Sequence, residues 1–256
     1  MSQSVIIAFA NQKGGVGKTT SAVNTAASLG AAGHKTLLVD LDPQGNATSG
    51  VGVNKKKTKN FSYEVLCGAC TARDAIQKTP FAGLSVLPAN MNLAAAELEL
   101  STSEAREQAL KNALGDIRGE YDFIIIDCPP SLGMLTVNAL VAADGVVVPM
   151  QCEYYALEGL TQLMMTIRRV KQLYNAPLTI TGILITMHNG RLNLSLQVLE
   201  ELKKYYADKL FRTIVTRNVR LSEAPSFGMP AMYHDRTSKG AQQYKDVADE
   251  LIRRVR

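Results

Sequence analysis

Apolar positions along this chain follow two alternating rhythms. Short, nearly continuous apolar runs predict strands over 5–10, 36–41, 84–88, 122–127, 145–150, 179–187 and 213–216. Phe123-Ile124-Ile125-Ile126 is the clearest of them, and its lack of alternation suits a strand covered on both faces. Between the runs lie helical patterns. Leu157, Leu160, Met164, Ile167 and Tyr174 share one helical face, and Val198, Leu199, Leu202, Tyr205 and Tyr206 share another. A last helix over about 239–254 buries Tyr244, Val247, Ala248 and Leu251. Strands alternating with helices predict an α/β fold: a single domain over 1–256 with a mostly parallel, twisted sheet and helices on both faces. No repeat or linker divides it. Residues 44–60, rich in Gly, Asn, Ser and Lys, form the longest polar connection.

Composition narrows the class. At 256 residues, 46% hydrophobic and 20% charged, the chain can bury a sizeable core. No apolar run reaches the roughly 18 residues of a membrane span, and Met1-Ser2-Gln3-Ser4 has no basic leader, so a cytoplasmic protein is expected. Cys67, Cys70, Cys128 and Cys152 are expected to be reduced thiols. Cys67-Gly68-Ala69-Cys70 has redox or metal-ligand spacing but lacks the second pair of a zinc site. A net charge of +5 fits a polyanionic partner. The Lys55-Lys56-Lys57 run reads first as a solvated loop.

The chemistry concentrates in Lys13-Gly14-Gly15-Val16-Gly17-Lys18-Thr19-Thr20, between an apolar run and a helical pattern. Strand, glycine turn and helix start make a phosphate cradle, because glycines let consecutive N–H groups converge and the helix N-terminus adds partial positive charge. Lys18 is placed to reach β- and γ-phosphates and the Thr19 hydroxyl to ligate Mg²⁺. The strict pattern G-x-x-x-x-G-K-[ST] fails, since its first glycine falls on Gln12. Lys13 sits inside the loop instead. Two acidic segments, Asp40-Leu41-Asp42-Pro43 and Asp127-Cys128-Pro129-Pro130, follow predicted strands and open onto the same rim. Asp127 fits a Walker B carboxylate acting on Mg²⁺ through water. Asp42 fits a group that orients the attacking water, with Asp40 the next candidate.

The loop, together with Asp40-Leu41-Asp42-Pro43-Gln44-Gly45-Asn46, Asp127-Cys128-Pro129-Pro130-Ser131 and Arg217-Asn218-Val219-Arg220-Leu221-Ser222-Glu223-Ala224-Pro225, resembles the motifs of the ParA/Soj chromosome-partitioning ATPases, within the ParA/MinD group with a deviant Walker A loop. The resemblance covers nearly the whole chain. It implies a bacterial, nucleoid-associated ATPase that uses ATP and Mg²⁺ and forms a homodimer in the ATP state. Such a dimer binds double-stranded DNA without sequence preference and is stimulated by a ParB/Spo0J-type partner, with no membrane involved. It makes Lys13 the signature lysine that contacts phosphates across the dimer interface. It also puts Thr216 and Asn218 beside the adenine, Thr216 standing where relatives often carry proline. No guanine-reading Asn-Lys-x-Asp segment is present; Thr186-Met187-His188-Asn189 stands at that strand end. Arg191 and Arg220 match positions resembling DNA-contacting arginines, with Arg217, Arg236 and Lys239 as weaker additions. Arg168, Arg169 and Lys171 read as the wet face of a helix.

Three alternatives stay open on the residues. One is a MinD-like membrane ATPase, although Leu251-Ile252-Arg253-Arg254-Val255-Arg256 leaves little apolar surface for lipid. Another is an iron–sulfur reductase resembling the nitrogenase iron protein, with Cys128 as a ligand. The third is a metabolic enzyme of the dethiobiotin synthetase kind, against which the arginine segment 217–220 argues.

Overall fold

The computed structural model describes residues 4–100, 105–153 and 156–256, so the expectation about the leading Met1–Gln3 lies outside it. Among the described residues the strands are β1 (Val5–Phe9), β2 (Thr36–Asp40), β3 (Gln77–Lys78), β4 (Leu84–Leu87), β5 (Phe123–Asp127), β6 (Gly145–Met150) and β7 (Thr179–Ile185). They form one sheet in the order β3-β4-β2-β5-β1-β6-β7. Every pairing is parallel except β3 with β4. The register sets Phe9 beside Asp127 and Asp40 beside Asp127, which brings three strand ends level at one rim.

Both faces of the sheet are covered, as unbroken apolar strands require. Ile6, Ala8, Ile124 and Ile126 point into one core, and Ile7, Phe9, Phe123 and Ile125 into the other. The second face carries α1 (Lys18–Ala31) and the C-terminal helix Lys239–Val255. Tyr244 of that helix is buried, with its hydroxyl 2.8 Å from Ser21 Oγ of α1. Burying each large apolar side chain contributes about 1.5–3 kcal/mol, so the strand ends are firm supports for the loops they carry. No helix of the described residues is long and apolar enough to cross a membrane.

Four expectations need correction. The predicted strand 213–216 is not continuous; Thr216 makes only an isolated parallel bridge to His188. Val215 still donates its N–H to the Ile185 carbonyl at 2.9 Å, but side chains of the C-terminal helix take the donors on either side of it. The Glu250 carboxylate accepts from the Arg212 and Thr213 N–H groups at 2.9 and 3.0 Å, and Gln243 Oε1 from Thr216 N–H at 3.1 Å. β3 escaped prediction because it is two polar residues at an edge. Tyr205 is exposed rather than packed with Val198, Leu199 and Leu202, and Tyr174 lies just past the end of its helix, Ala156–Leu173. Within 44–60 the chain forms a short helix, α2 (Asn46–Gly50), and Lys55 folds back to donate to the Gln44 carbonyl at 2.8 Å.

Candidate functional site

The chain leaves β1, turns through residues 10–17 and enters α1 at Lys18, whose orphan N–H groups face the turn. Gly15 and Gly17 adopt left-handed φ values of 74° and 81°, which a side chain would strain. Supports come from the neighbouring strand ends. Asn11 donates to the Pro149 carbonyl at 2.8 Å and accepts from the Lys13 N–H at 3.0 Å. Val16 is buried, and Gly14 lies against Pro130 in the loop after β5. Thr20 continues α1, its carbonyl accepting from Asn24 Nδ2.

The two lysines have different surroundings. Lys18 is 6% exposed, and its ammonium donates to the Lys13 carbonyl at 3.0 Å. Burial lowers its pKa, opposed chiefly by the negative charge of Asp127 and, less, of Asp42. Lys13 turns outward and ion-pairs with Glu153 in the segment after β6. Glu153 was not predicted, because ion pairing across 140 positions leaves no local pattern.

The three aspartates at the rim divide sharply. Asp40 is fully committed: its Oδ2 accepts from Thr48 N–H and Oγ1–H at 2.8 and 2.7 Å, and its Oδ1 from Asp42 N–H at 3.1 Å. Burial raises its pKa to about 6 despite those bonds. Asp42 is also buried, but among the described residues only one of its oxygens is engaged, by the Gln44 N–H at 2.9 Å. Asp127 is fully buried, and neither of its carboxylate oxygens has a hydrogen-bond partner among the described residues. Burial first, then the charge of Asp40, push its pKa well above the ordinary range, against a lowering influence of the Thr19 hydroxyl. An orphaned buried carboxylate is costly unless a cation completes it. Asp127 and Thr19 therefore suit a hard cation with oxygen ligands. No cluster of three or more His, Cys, Asp or Glu that could hold a metal occurs among the described residues. Mg²⁺ does not need one, since phosphate oxygens and water complete its shell.

On the far side of the loop, Met187 has a left-handed φ of 48°, rare for a residue with a side chain. The bridge from His188 carries the site on to Thr216. The Thr216 hydroxyl shares Gln243 Oε1 with its own N–H, and Asn218 caps the helix Val219–Glu223 by accepting from Arg220 N–H at 2.9 Å. Gln243 lies 27 residues from Thr216, in the C-terminal helix, and leaves no pattern near it in the sequence. Arg191 and Arg220 follow the two strands of this bridge. Arg191 is exposed and has no ion pair among the described residues. Arg220 pairs with Glu223 at 2.9 Å and Asp235 at 3.3 Å. Arg168 and Arg169 face solvent, as expected.

The cysteines carry little chemistry. Burial raises the pKa of Cys67 to about 12 and raises those of Cys70 and Cys128, which disfavours the thiolate a metal or redox site needs.

Comparison with known proteins settles the family. Residues 4–180 match the AAA domain family. The Bacillus subtilis sporulation initiation inhibitor protein Soj is 53% identical over 246 residues, covering 96% of this chain and 97% of Soj. The chain belongs to the ParA/Soj family. The Myxococcus xanthus chromosome partitioning protein ParA is 51% identical, covering 97% of this chain and 88% of that protein. Among solved structures, the Mycobacterium smegmatis cobyrinic acid a,c-diamide synthase with bound ATP analog and magnesium has 40% identity and a TM-score of 0.85. That match covers 98% of this chain and 95% of that one. The sheet of this ParA/Soj protein, and the deviant phosphate loop at its rim, thus fall within a family of partitioning ATPases.

Proposed function

We propose that this protein is a DNA-partitioning ATPase whose ATP-bound form is a homodimer on DNA. The observation that carries the reading is the split between the loop lysines: Lys18 buried against Asp127, Lys13 turned outward on Glu153. The first is suited to phosphates bound by its own subunit. The second is suited to phosphates bound by another. ATP and Mg²⁺ are the ligands, in keeping with the Mycobacterium smegmatis relative. Peptide N–H groups of Gly14, Gly15, Val16 and Gly17, with Thr20 at the head of α1, would hold the phosphates. Thr19 would ligate Mg²⁺ directly and Asp127 through water; bound there, the ion would neutralise charge on the transferring phosphoryl. Asp42, with one oxygen still open, would orient the attacking water. Thr216 and Asn218 would border the adenine, chiefly through backbone groups because both side chains are already engaged.

In this reading the Lys13–Glu153 pair marks the monomer and is exchanged for phosphate on dimerisation. Lys13→Ala is expected to retain ATP binding and remain monomeric. Light scattering with ATP is the check, and a dimer of wild-type stability would remove Lys13 from the interface.

DNA binding would use Arg191 and Arg220 on phosphate oxygens, contacts without sequence information. The pairs of Arg220 with Glu223 and Asp235 are exposed and therefore weak, so phosphate can displace them. A dimer offers four such arginines, and each phosphate neutralised adds about 0.9 to the slope of log K against log salt. Arg191→Ala with Arg220→Ala is therefore expected to flatten that slope by up to about 3–4 while dimerisation survives. A salt titration on two unrelated duplexes reads this; an unchanged slope moves the surface elsewhere, first to Arg217, Arg236 and Lys239. A ParB/Spo0J-type partner would stimulate hydrolysis and release the dimer from DNA.

A further inference from the structure

Two side chains outside the phosphate loop hold carbonyls within it. In a trans peptide the carbonyl and the following N–H point in opposite directions, and the described chain has no cis peptide. A group that pins a loop carbonyl outward therefore aims the next N–H inward. Two loop carbonyls are pinned in this way. Thr186, just past β7, donates its hydroxyl to the Val16 carbonyl at 2.7 Å. The hydroxyl has a single proton and two acceptors in reach, and the Val16 carbonyl is the nearer, since Met150 O lies at 3.1 Å and already receives the Thr186 N–H at 2.9 Å. Gln151, just past β6, donates one amide hydrogen to the Gly15 carbonyl at 3.1 Å and lies 3.1 Å from Met187 Sδ.

The consequence falls on the N–H groups of Val16 and Gly17, which turn away from β6 and β7. Among the described residues no protein group accepts from the N–H of Gly14, Gly15, Val16 or Gly17. Gly17 packs directly over Thr186, as a Cβ built on it would lie 3.7 Å from Thr186 Cβ. Flanked by two left-handed glycines, Val16 sits in a segment with little conformational preference of its own. Its orientation has to be imposed.

We propose that Thr186 and Gln151 are positioning residues for nucleotide binding, which fix the Val16 and Gly17 N–H donors toward the phosphates by holding the Val16 and Gly15 carbonyls. The inference rests on the nucleotide-site reading above. Neither residue touches the phosphate. Both act through the peptide planes of the loop.

Thr186→Val keeps the branched shape and deletes the donor. It is expected to weaken ATP and ADP alike by about 3- to 10-fold, the worth of one hydrogen bond. Thr186→Ser restores the hydroxyl and is expected to bind within about twofold of wild type, a rescue that a packing role would not give. Gln151→Leu is expected to weaken both nucleotides similarly. Titration calorimetry on the full chain, with Lys18→Ala as control, reads all four. Wild-type affinity in both Thr186→Val and Gln151→Leu overturns the proposal, as does Thr186→Ser binding no better than Thr186→Val. Should Thr186→Val not fold, wild-type affinity in Gln151→Leu suffices to overturn it. Normal binding by Lys18→Ala is a different outcome: it would remove the nucleotide-site reading itself.

Discussion

Lys18→Ala is expected to lower ATP affinity by about 30- to 4,000-fold. Truncating one member of a buried charged pair costs about 2–5 kcal/mol, and each 1.4 kcal/mol is a factor of ten. The Lys18 ammonium is already desolvated, so little further cost attends its transfer from the Lys13 carbonyl to phosphate oxygens. The fold should survive. Without Lys18 the rim loses a cation facing Asp127 and Asp42, but burial raises the pKa of Asp127 so far that its carboxyl can take up a proton rather than repel. Titration calorimetry together with circular dichroism separates the two effects. A folded variant with normal ATP affinity would mean that residues 13–20 are not the phosphate site.

Asp42→Ala is expected to slow ATP hydrolysis by about 10²–10⁴-fold, the usual contribution of a group acting on the attacking nucleophile. Binding should persist, because Asp42 is not among the groups assigned to hold phosphate. The variant should then accumulate as the ATP dimer and stay on DNA. Three aspartates compete for this role, and their hydrogen bonds separate them. Asp40 spends both oxygens on Thr48 and on the backbone of Asp42, so it shapes the segment rather than acting from it. Asp127 is as fully buried as Asp40 but has two open oxygens among the described residues and lies beside Thr19, as a metal position requires. Asp42 alone combines an open oxygen with a place on a loop. Phosphate release at the wild-type rate would exclude Asp42 and turn attention back to Asp40.

The sequence by itself determined the sheet, the loop and the family. Apolar runs such as Phe123-Ile124-Ile125-Ile126 predict strands because only a strand covered on both faces tolerates them, and the register then carried Asp127 to the rim beside Asp40. The loop was legible because its chemistry is local: glycines, lysines and the helix start lie within eight positions. What only the tertiary structure decided was long-range. The segment 213–216 reads as a strand, yet only Val215 pairs with β7, while Glu250 and Gln243 take the N–H groups of Thr213 and Thr216, and neither is visible from the segment itself. Glu153 meets Lys13, and Thr186 and Gln151 hold the loop carbonyls, across separations of 136 residues or more. The sorting of Asp40, Asp42 and Asp127 follows the same rule. All three are acidic residues at or just past strand ends, and their difference lies in which oxygens other parts of the chain have already satisfied. A residue pattern records what a segment can do locally; only folding fixes which donors and acceptors remain free, because buried polar groups must pair with whatever the fold brings to them.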